Sequence, residues 1–388
     1  MCNVTEFRIR FVVLMTLVGI ARLSSAIAAD TAVSPRETAE NGVAWHDIRD
    51  IGVEGQGWTD TASPFDRLPA RAKELVRPPV WSLSQHSAGL GVRFITDATE
   101  IHARWTLTSA RLEMNHMPAT GVSGLDLYAS TTTTDQPGGK LRWLAVGRPT
   151  AQQNSAKLVS GISEGTREYM LYLPLYNGVK SVEVGVPKGA SIWQAKSRPS
   201  GLKPIVFYGT SITQGGCASR TGMVHTAILG RWLDAPVINL GFSGNGRMEA
   251  EVATLMAELD VSCFVIDCLP NISAGDVKSR TEPLVKILRK AHPETPIVLV
   301  EDRSYANSFF LSSTRNRNLT SRVELKAVFD RLKKAGDPNL HYITGEDLIG
   351  DDGEGTVDSS HPTDLGFVRQ SEAFLKVLRP ILDLQKSQ

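Results

Sequence analysis

The second half of the chain carries a series of short, nearly continuous apolar runs: PIVFYG (204–209), PVINLG (236–241), SCFVIDC (262–268), PIVLVE (296–301) and HYITG (341–345). A run that does not alternate has no solvent face, and strands of that kind belong to parallel sheets covered by helices on both sides. Such helices are supplied by the segments GMVHTAILGRWL, RMEAEVATLMAEL, DVKSRTEPLVKILRKA, SRVELKAVFDRLKKA and the terminal DLGFVRQSEAFLKVLRPIL, which carry the helical period. The alternation predicts an α/β domain with a parallel sheet between helical layers.

The first half has a different period. GLGVRFIT (89–96), EIHARWTL (100–107), GLDLYAS (124–130), LRWLAV (141–146), REYMLYLP (167–174) and VKSVEVGV (179–186) alternate or are rich in β-favouring residues. TDAT, TTDQPGG and LYNGVK supply turn residues between them. Repeated short strands with hardly any helix predict an antiparallel β-sandwich, jelly-roll-like in kind. The expected organisation is a β-sandwich over 43–195, a linker near Pro187–Lys203 and an α/β domain over 203–385.

The first thirty residues place Arg8 and Arg10 ahead of an apolar run from Phe11 to Ala21 and end in small residues. That layout predicts a secretory signal peptide over 1–28, cleaved before Ala29, so export to the periplasm or medium is expected. The apolar run is shorter than the roughly 20 residues a membrane-spanning helix needs. Without Arg8, Arg10, Arg22 and Glu6, the 42 basic and 41 acidic residues become 39 and 40. A net charge near −1 gives no electrostatic reason to expect nucleic acid or an anionic membrane as partner. Cys217, Cys263 and Cys268 remain beyond the leader. They leave two alternatives, three buried thiols or one disulfide between Cys217 and Cys268.

Open parallel sheets place their chemistry at the carboxyl ends of the strands. Those ends read Gly209-Thr210-Ser211, then Gly241 to Gly246, then Asp267 to Asn271, then Glu301-Asp302-Arg303, with a final loop Asp358-Ser359-Ser360-His361-Pro362. Asp358 lies three residues before His361, so one turn of chain can bring the carboxylate to Nδ1 of the imidazole. A general base needs that orientation to fix its tautomer. Gly244 can offer a backbone N–H and Asn271 a side-chain amide to an oxyanion, with help from the Ser211 N–H. The bland alternatives are a turn glycine and, for Asn271, a turn residue or the acceptor of the sequon Asn271-Ile272-Ser273.

The phrases GTSITQGG, NLGFSGNG, DCLPN and DSSHPTDLG stand in the order and at the strand ends of the SGNH (GDSL) hydrolase superfamily, which residues 203–385 resemble. The resemblance implies a flavodoxin-like, three-layer α/β/α fold. It further implies Ser211 as nucleophile, His361 as base, Asp358 as its orienting acid, and Ser211, Gly244 and Asn271 as the oxyanion hole. A β-rich half before such a domain is similar to two-domain bacterial members, several of them carbohydrate esterases. Two departures stand out: Thr210 occupies the usual Asp position, and the usual Gly-x-Asn-Asp block reads Asp267-Cys-Leu-Pro-Asn271. Thr213 also replaces the second glycine of Gly-x-Ser-x-Gly, which argues against the α/β-hydrolase fold.

The expected activity is a secreted serine esterase acting on short, acetyl-type esters of carbohydrate, using no metal or organic cofactor. The alternatives are a lipid esterase of lysophospholipase type and a non-catalytic carbohydrate-binding protein. Arg220, Arg247, Asp302 and Tyr305 are candidate substrate contacts because they follow the strand ends. His46, His86, His102 and His116 lack metal-ligand spacing and read as surface or packing residues, and His225 reads as a satisfied core or helix-surface histidine. Trp45, Trp58, Trp81, Trp105 and Trp143 read as core aromatics, with sugar stacking as the alternative.

Overall fold

The computed structural model describes Met1 and residues 32–386 apart from 39, 40 and 137. The predicted leader therefore lies outside the described residues, save for Met1. The described residues from 32 to 386 form one compact unit.

Its first part contains strands β1 (Glu37–Thr38), β2 (Val43–Asp47), β3 (Val53–Glu54), β4 (Gly91–Thr96), β5 (Glu100–Leu107), β6 (Leu125–Ser130), β7 (Leu141–Gly147), β8 (Gln153–Ser160), β9 (Arg167–Tyr172), β10 (Val179–Pro187) and β11 (Ile192–Gln194). Three short helices interrupt them: α1 (Ile48–Ile51), α2 (Pro78–Ser84) and α3 (Ala119–Val122). The strands build two antiparallel sheets, ordered β1-β2-β10-β5-β8 and β11-β4-β9-β6-β7, with β3 beside β4. Along β5 every second residue, Ile101, Ala103, Trp105 and Leu107, is buried. These side chains meet Leu125, Leu127, Tyr169 and Leu171 of the facing sheet in one core. The sandwich thus follows from period-two alternation with one apolar face per strand.

The second part contains β12 (Ile205–Gly209), α4 (Ser211–Gln214), α5 (His225–Leu233), β13 (Val237–Gly241), α6 (Ala250–Met256), β14 (Cys263–Asp267), α7 (Ala274–Ala291), β15 (Ile297–Val300), α8 (Ser312–Lys334), β16 (Leu340–Ile343) and α9 (Asp364–Lys386). The five strands are parallel and ordered β13-β12-β14-β15-β16. Alternate residues of β12 serve opposite layers. Val206 and Tyr208 join the core under α6, α7 and α8, whereas Ile205 and Phe207 join the core under α5 and α9. This is the expected flavodoxin-like α/β/α arrangement. Strand order reverses on the two sides of β12, so the crevice for a ligand opens at its carboxyl end.

The two parts are joined by more than a linker. Trp58, Leu68, Ala72, Val76 and Val80 of the segment between β3 and β4 belong to the core of the parallel sheet. Arg67, buried in the same segment, donates to the carbonyls of Leu83 (2.6 Å), His86 (2.8 Å), Asn239 (2.9 Å) and Gly241 (2.8 Å). Burial pulls its guanidinium down to about 9, still cationic at neutral pH. Those carbonyls disperse its charge where water cannot, at the end of β13 beside β12, which leads into Ser211.

Candidate active site

Ser211 opens a single helical turn directly after β12. Thr210 has extended backbone (φ −100°, ψ −161°) and its Oγ1 accepts from the Ile212 N–H at 3.2 Å, capping the turn. Gly215, in the left-handed region at φ 113°, ends it. The Ser211 carbonyl accepts three hydrogen bonds, from the N–H groups of Gly215 (2.9 Å) and Gly216 (2.7 Å) and from the Tyr176 hydroxyl (3.1 Å). The backbone carrying the hydroxyl is therefore fixed on several sides. Neighbouring strand ends pack against it without side chains: a Cβ on Gly241 would lie 2.1 Å from the Gln214 nitrogen, and one on Gly246 would lie 1.8 Å from the Gly209 oxygen.

The Asp358–His361 loop comes to Ser211 from ahead of α9. Its two arms are pinned by the Val357 N–H donating to the His361 carbonyl at 2.9 Å, and Ser359 bends it through the left-handed region at φ 79°. Oδ1 of Asp358 accepts from the backbone N–H groups of Ser360 (3.1 Å) and His361 (2.8 Å), and Oδ2 accepts from Nδ1 of His361 at 2.7 Å. Nε2 of His361 then lies 2.7 Å from the Ser211 Oγ, as acceptor of its hydroxyl. This tautomer is assigned from the network, because a carboxylate can only accept. Burial pushes the Asp358 carboxyl up, but the backbone and ring hydrogen bonds from His361, its charge and the Ser360 N–H outweigh that and hold it below its ordinary value. Ser211 is buried and the Asp358 side chain half-exposed, so the chain of hydrogen bonds runs from the surface inward.

Gly244 and Asn271 follow β13 and β14, the strands on either side of β12, whose ends pair as Gly209 with Gly241 and Gly209 with Asp267. Gly244 sits at φ 69° and is exposed. The Asn271 amide is satisfied when its Oδ1 accepts from the N–H groups of Asn245 (3.1 Å) and Gly246 (3.2 Å). Its NH₂ group is then free to donate elsewhere. Ser273 of the sequon is occupied as the N-cap of α7, in a capping box with Asp276.

The candidate substrate contacts scatter. Arg220 is ion-paired to the buried Asp126 at 2.7 Å, donates to the Tyr128 hydroxyl at 2.6 Å and lies over the Trp143 ring. Arg247 donates to the Gly244 carbonyl at 3.0 Å and lines an open cavity of about 340 Å³ with Arg77 and Arg280, which neither Ser211 nor His361 borders. Tyr305 is half-buried against Ser360 and Arg317. Asp302 requires a correction: its side chain is closed to solvent, accepts from Asn318 at 3.0 Å and faces Arg317 and Arg303, so a substrate cannot reach it.

Other expectations change too. Cys217, Cys263 and Cys268 are all free and buried, so the Cys217–Cys268 disulfide is absent. Burial pushes the Cys217 thiol up to about 12. His225 is buried among Phe207, Phe367 and Phe374, yet neither ring nitrogen has a hydrogen-bond partner among the described residues, so it is not a satisfied histidine. Burial, with Arg303 adding, lowers it to about 3, so it stays neutral. Trp45, Trp58 and Trp105 are core residues, whereas Trp143 is half-exposed.

Sequence reasoning missed contributions from the β-rich part. Besides Tyr176, Nδ1 of His86 lies 3.0 Å from Nε2 of Gln214, whose Oε1 accepts from the Ser243 N–H at 3.0 Å in the loop that carries Gly244. The His116 ring lies 6.2 Å from that of His361. Asp126 accepts from the Gly222 N–H (2.8 Å) and Trp143 Nε1 (2.9 Å) as well as Arg220, and so holds the loop after the Ser211 turn. Only Asp126 left a sequence signal, a charge in an otherwise apolar strand.

Residues 202–379 match the GDSL-like lipase/acylhydrolase family, and residues 43–192 match the N-terminus of SGNH-hydrolase-type esterases, the GxDLY region. The motif stands here as Gly124-Leu-Asp126-Leu-Tyr128. A Bacteroides ovatus protein described as a GDSL-like lipase shares 33% identity and a TM-score of 0.81, with 88% of this chain and 98% of that one covered. The chain belongs to the GDSL-like lipase/acylhydrolase family. It is a carboxylic ester hydrolase. This esterase also resembles in fold the salicylyl-acyltransferase of a tetracycline biosynthetic pathway, at 19% identity and TM-score 0.68, with 91% and 98% covered. A family two carbohydrate esterase from Clostridium thermocellum, solved with cellohexaose, aligns at 15% identity and TM-score 0.54, with 76% and 93% covered. No match is found among curated proteins. Among the described residues, no helix is long and apolar enough to cross a membrane.

Proposed function

We propose that this esterase removes a short acyl group, acetyl in the leading case, from a carbohydrate, with Ser211, His361 and Asp358 as catalytic triad. The reading rests on one observation: the unbroken hydrogen-bonded chain from Asp358 through His361 to Ser211, at 2.7 Å for each link. His361 Nε2 takes the Ser211 proton as Oγ attacks the ester carbonyl. The resulting oxyanion is met by the N–H groups of Ser211 and Gly244 and the Asn271 amide. Collapse breaks the bond to the leaving alcohol, which takes the proton from Nε2. Water, deprotonated by the same nitrogen, attacks the acyl-enzyme, and Ser211 is expelled and reprotonated as the acid leaves. Every proton moves between Ser211, His361, the substrate and the attacking water, so the scheme needs no cofactor.

The carbohydrate part of the reading draws on the fold likeness to family two carbohydrate esterases and to an acetyl xylan esterase from Butyrivibrio proteoclasticus. Export rests on the leader-like residues 1–28. The domain limits proposed are 43–195 and 203–385, the first acting as a wall of the site.

A second reading, an ester with a longer apolar acyl chain, is favoured by a different observation. Phe309 and Phe310 are each 81% exposed, on a segment whose Ala306 and Asn307 N–H groups donate to Ser359, two residues from His361. Rates on 4-nitrophenyl esters from acetate to octanoate, and acetate release from acetylated xylo-oligosaccharides, decide between the two. Ser211→Ala and His361→Ala serve as controls and should lose at least about 10³-fold in kcat. Turnover by Ser211→Ala comparable to wild type would end the serine-esterase reading. Preference for octanoate would promote the apolar one.

A further inference from the structure

The β-rich part places a second histidine at the site, and nothing in the triad scheme uses it. His116 lies in the loop between β5 and α3, where the backbone of Met114 and Met117 pairs in both directions (3.0 and 3.1 Å). Met117 anchors that turn, buried in the cluster that also holds Ile212, Ala218 and Phe367 of the α/β part. The turn is thus fixed on the layer that carries Ser211, so the position of the His116 ring is built rather than incidental. That ring is half-buried and lies 6.2 Å from the His361 ring, tilted by 48°.

The surroundings of His361 define which side is open. Its Nδ1 is held by Asp358 and its Nε2 by Ser211. Its Cδ2 edge is closed by Gly216, where a Cβ would come within 3.2 Å of it and within 3.0 Å of the Tyr176 hydroxyl oxygen. The leaving alcohol must collect its proton from Nε2, so the part of the substrate attached to it passes beside this ring. The His116 ring, 6.2 Å from it, is a side chain of the β-rich part within reach of that path. Its Nδ1 is satisfied by Asn115 Oδ1 at 2.7 Å, which leaves Nε2 as an acceptor with no hydrogen-bond partner among the described residues. A ring nitrogen left as acceptor this close to the His361 ring calls for a donor in the leaving group, and an alcohol with a second hydroxyl near the esterified one supplies it.

We infer that His116 is a specificity-determining residue that accepts a hydrogen bond from a neighbouring hydroxyl of a polyhydroxylated leaving group, so that the β-rich part reads the alcohol while the α/β part breaks the ester. The inference rests on the proposed esterase reading and sharpens it, since a simple alcohol or phenol would leave Nε2 unused. A site that hydrogen-bonds a substrate hydroxyl discriminates strongly against analogues lacking it.

The test compares wild type, His116→Phe and His116→Gln on 4-nitrophenyl acetate and on a monoacetylated methyl xyloside with a free vicinal hydroxyl. Circular dichroism and thermal melts first establish that each variant is folded. The expected result is that His116→Phe lowers the ratio of kcat/KM for the sugar ester over the phenyl ester at least tenfold, chiefly through KM on the sugar ester, and that His116→Gln recovers part of it. An unchanged ratio or equal losses on both esters overturns the inference while leaving the proposed function intact, whereas wild-type activity confined to the phenyl ester overturns the inference together with the carbohydrate part of that function and leaves the ester hydrolase standing. Wild type inactive on both esters would overturn both.

Discussion

The hydroxyl of Tyr176, contributed by the β-rich part, donates to the main-chain carbonyl of Ser211 at 3.1 Å. It fixes Ser211 through its backbone and leaves the Oγ free for His361. Burial pushes this hydroxyl far above its ordinary value, so it donates at any working pH. Tyr176→Phe should therefore lower kcat by roughly threefold to tenfold and stability by about 1 kcal/mol, the net worth of a typical hydrogen bond. A rate loss that is constant from pH 6 to pH 9 is expected, measured by initial rates on 4-nitrophenyl acetate beside a thermal melt.

Asn271 tests the oxyanion contribution. With its Oδ1 engaged by the Asn245 and Gly246 N–H groups, its NH₂ group is oriented before the substrate arrives. Removing one such donor costs on the order of 10²–10³ in kcat with little change in KM. Asn271→Ala should show that split in steady-state kinetics, and a loss carried by KM alone would count against the role.

Asp358 is held below its ordinary value against the opposing effect of burial, so its folded pKa lies under its unfolded one. Such a group stabilises the fold above the unfolded value, near 4, and the contribution fades as pH falls through the folded value. Asp358→Asn should flatten the acid end of a melting-temperature profile below about pH 4. It should also lower kcat, by less than the ~10⁴-fold seen when the acid of a triad is buried, because this side chain is 45% exposed.

Asp302 has the opposite sign. Burial outweighs the pull of Arg303 and Arg317 and raises it to about 6. The folded state keeps a proton that the unfolded state has released between roughly pH 4 and pH 6, so stability contributed by this group falls as pH rises through that window. The change amounts to on the order of 3 kcal/mol, and Asp302→Asn should remove it from urea-unfolding free energies measured across the window.

The three thiols give a direct check on the redox state. A chain beginning at residue 29 should release three equivalents of thiol when denatured without reductant, since Cys217, Cys263 and Cys268 are all free. In the native protein the reaction should be slow, because the thiolate is the reactive form and burial holds the Cys217 thiol near 12. Fewer than three equivalents would indicate a disulfide.

The amino-acid sequence by itself determined the layers, because local periods encode which faces of an element are buried. PIVFYG and SCFVIDC became β12 and β14 of a parallel sheet, and the alternation of EIHARWTL became the inward face of β5. It also determined which residues stand at strand ends, and the Asp358–His361 pairing, since three residues of chain suffice to close it. Only the tertiary structure decided what meets across the two parts. Tyr176 reaches Ser211 over 35 residues, His86 reaches Gln214 over 128, and Arg67 reaches the end of β13 over more than 170. No local period records such contacts, because they depend on how a sandwich and a parallel sheet dock and on which polar groups then lose water. Burial of Asp302, an exposed-looking residue at a strand end, was decided in the same way: α8 covers it with Asn318 and Arg317.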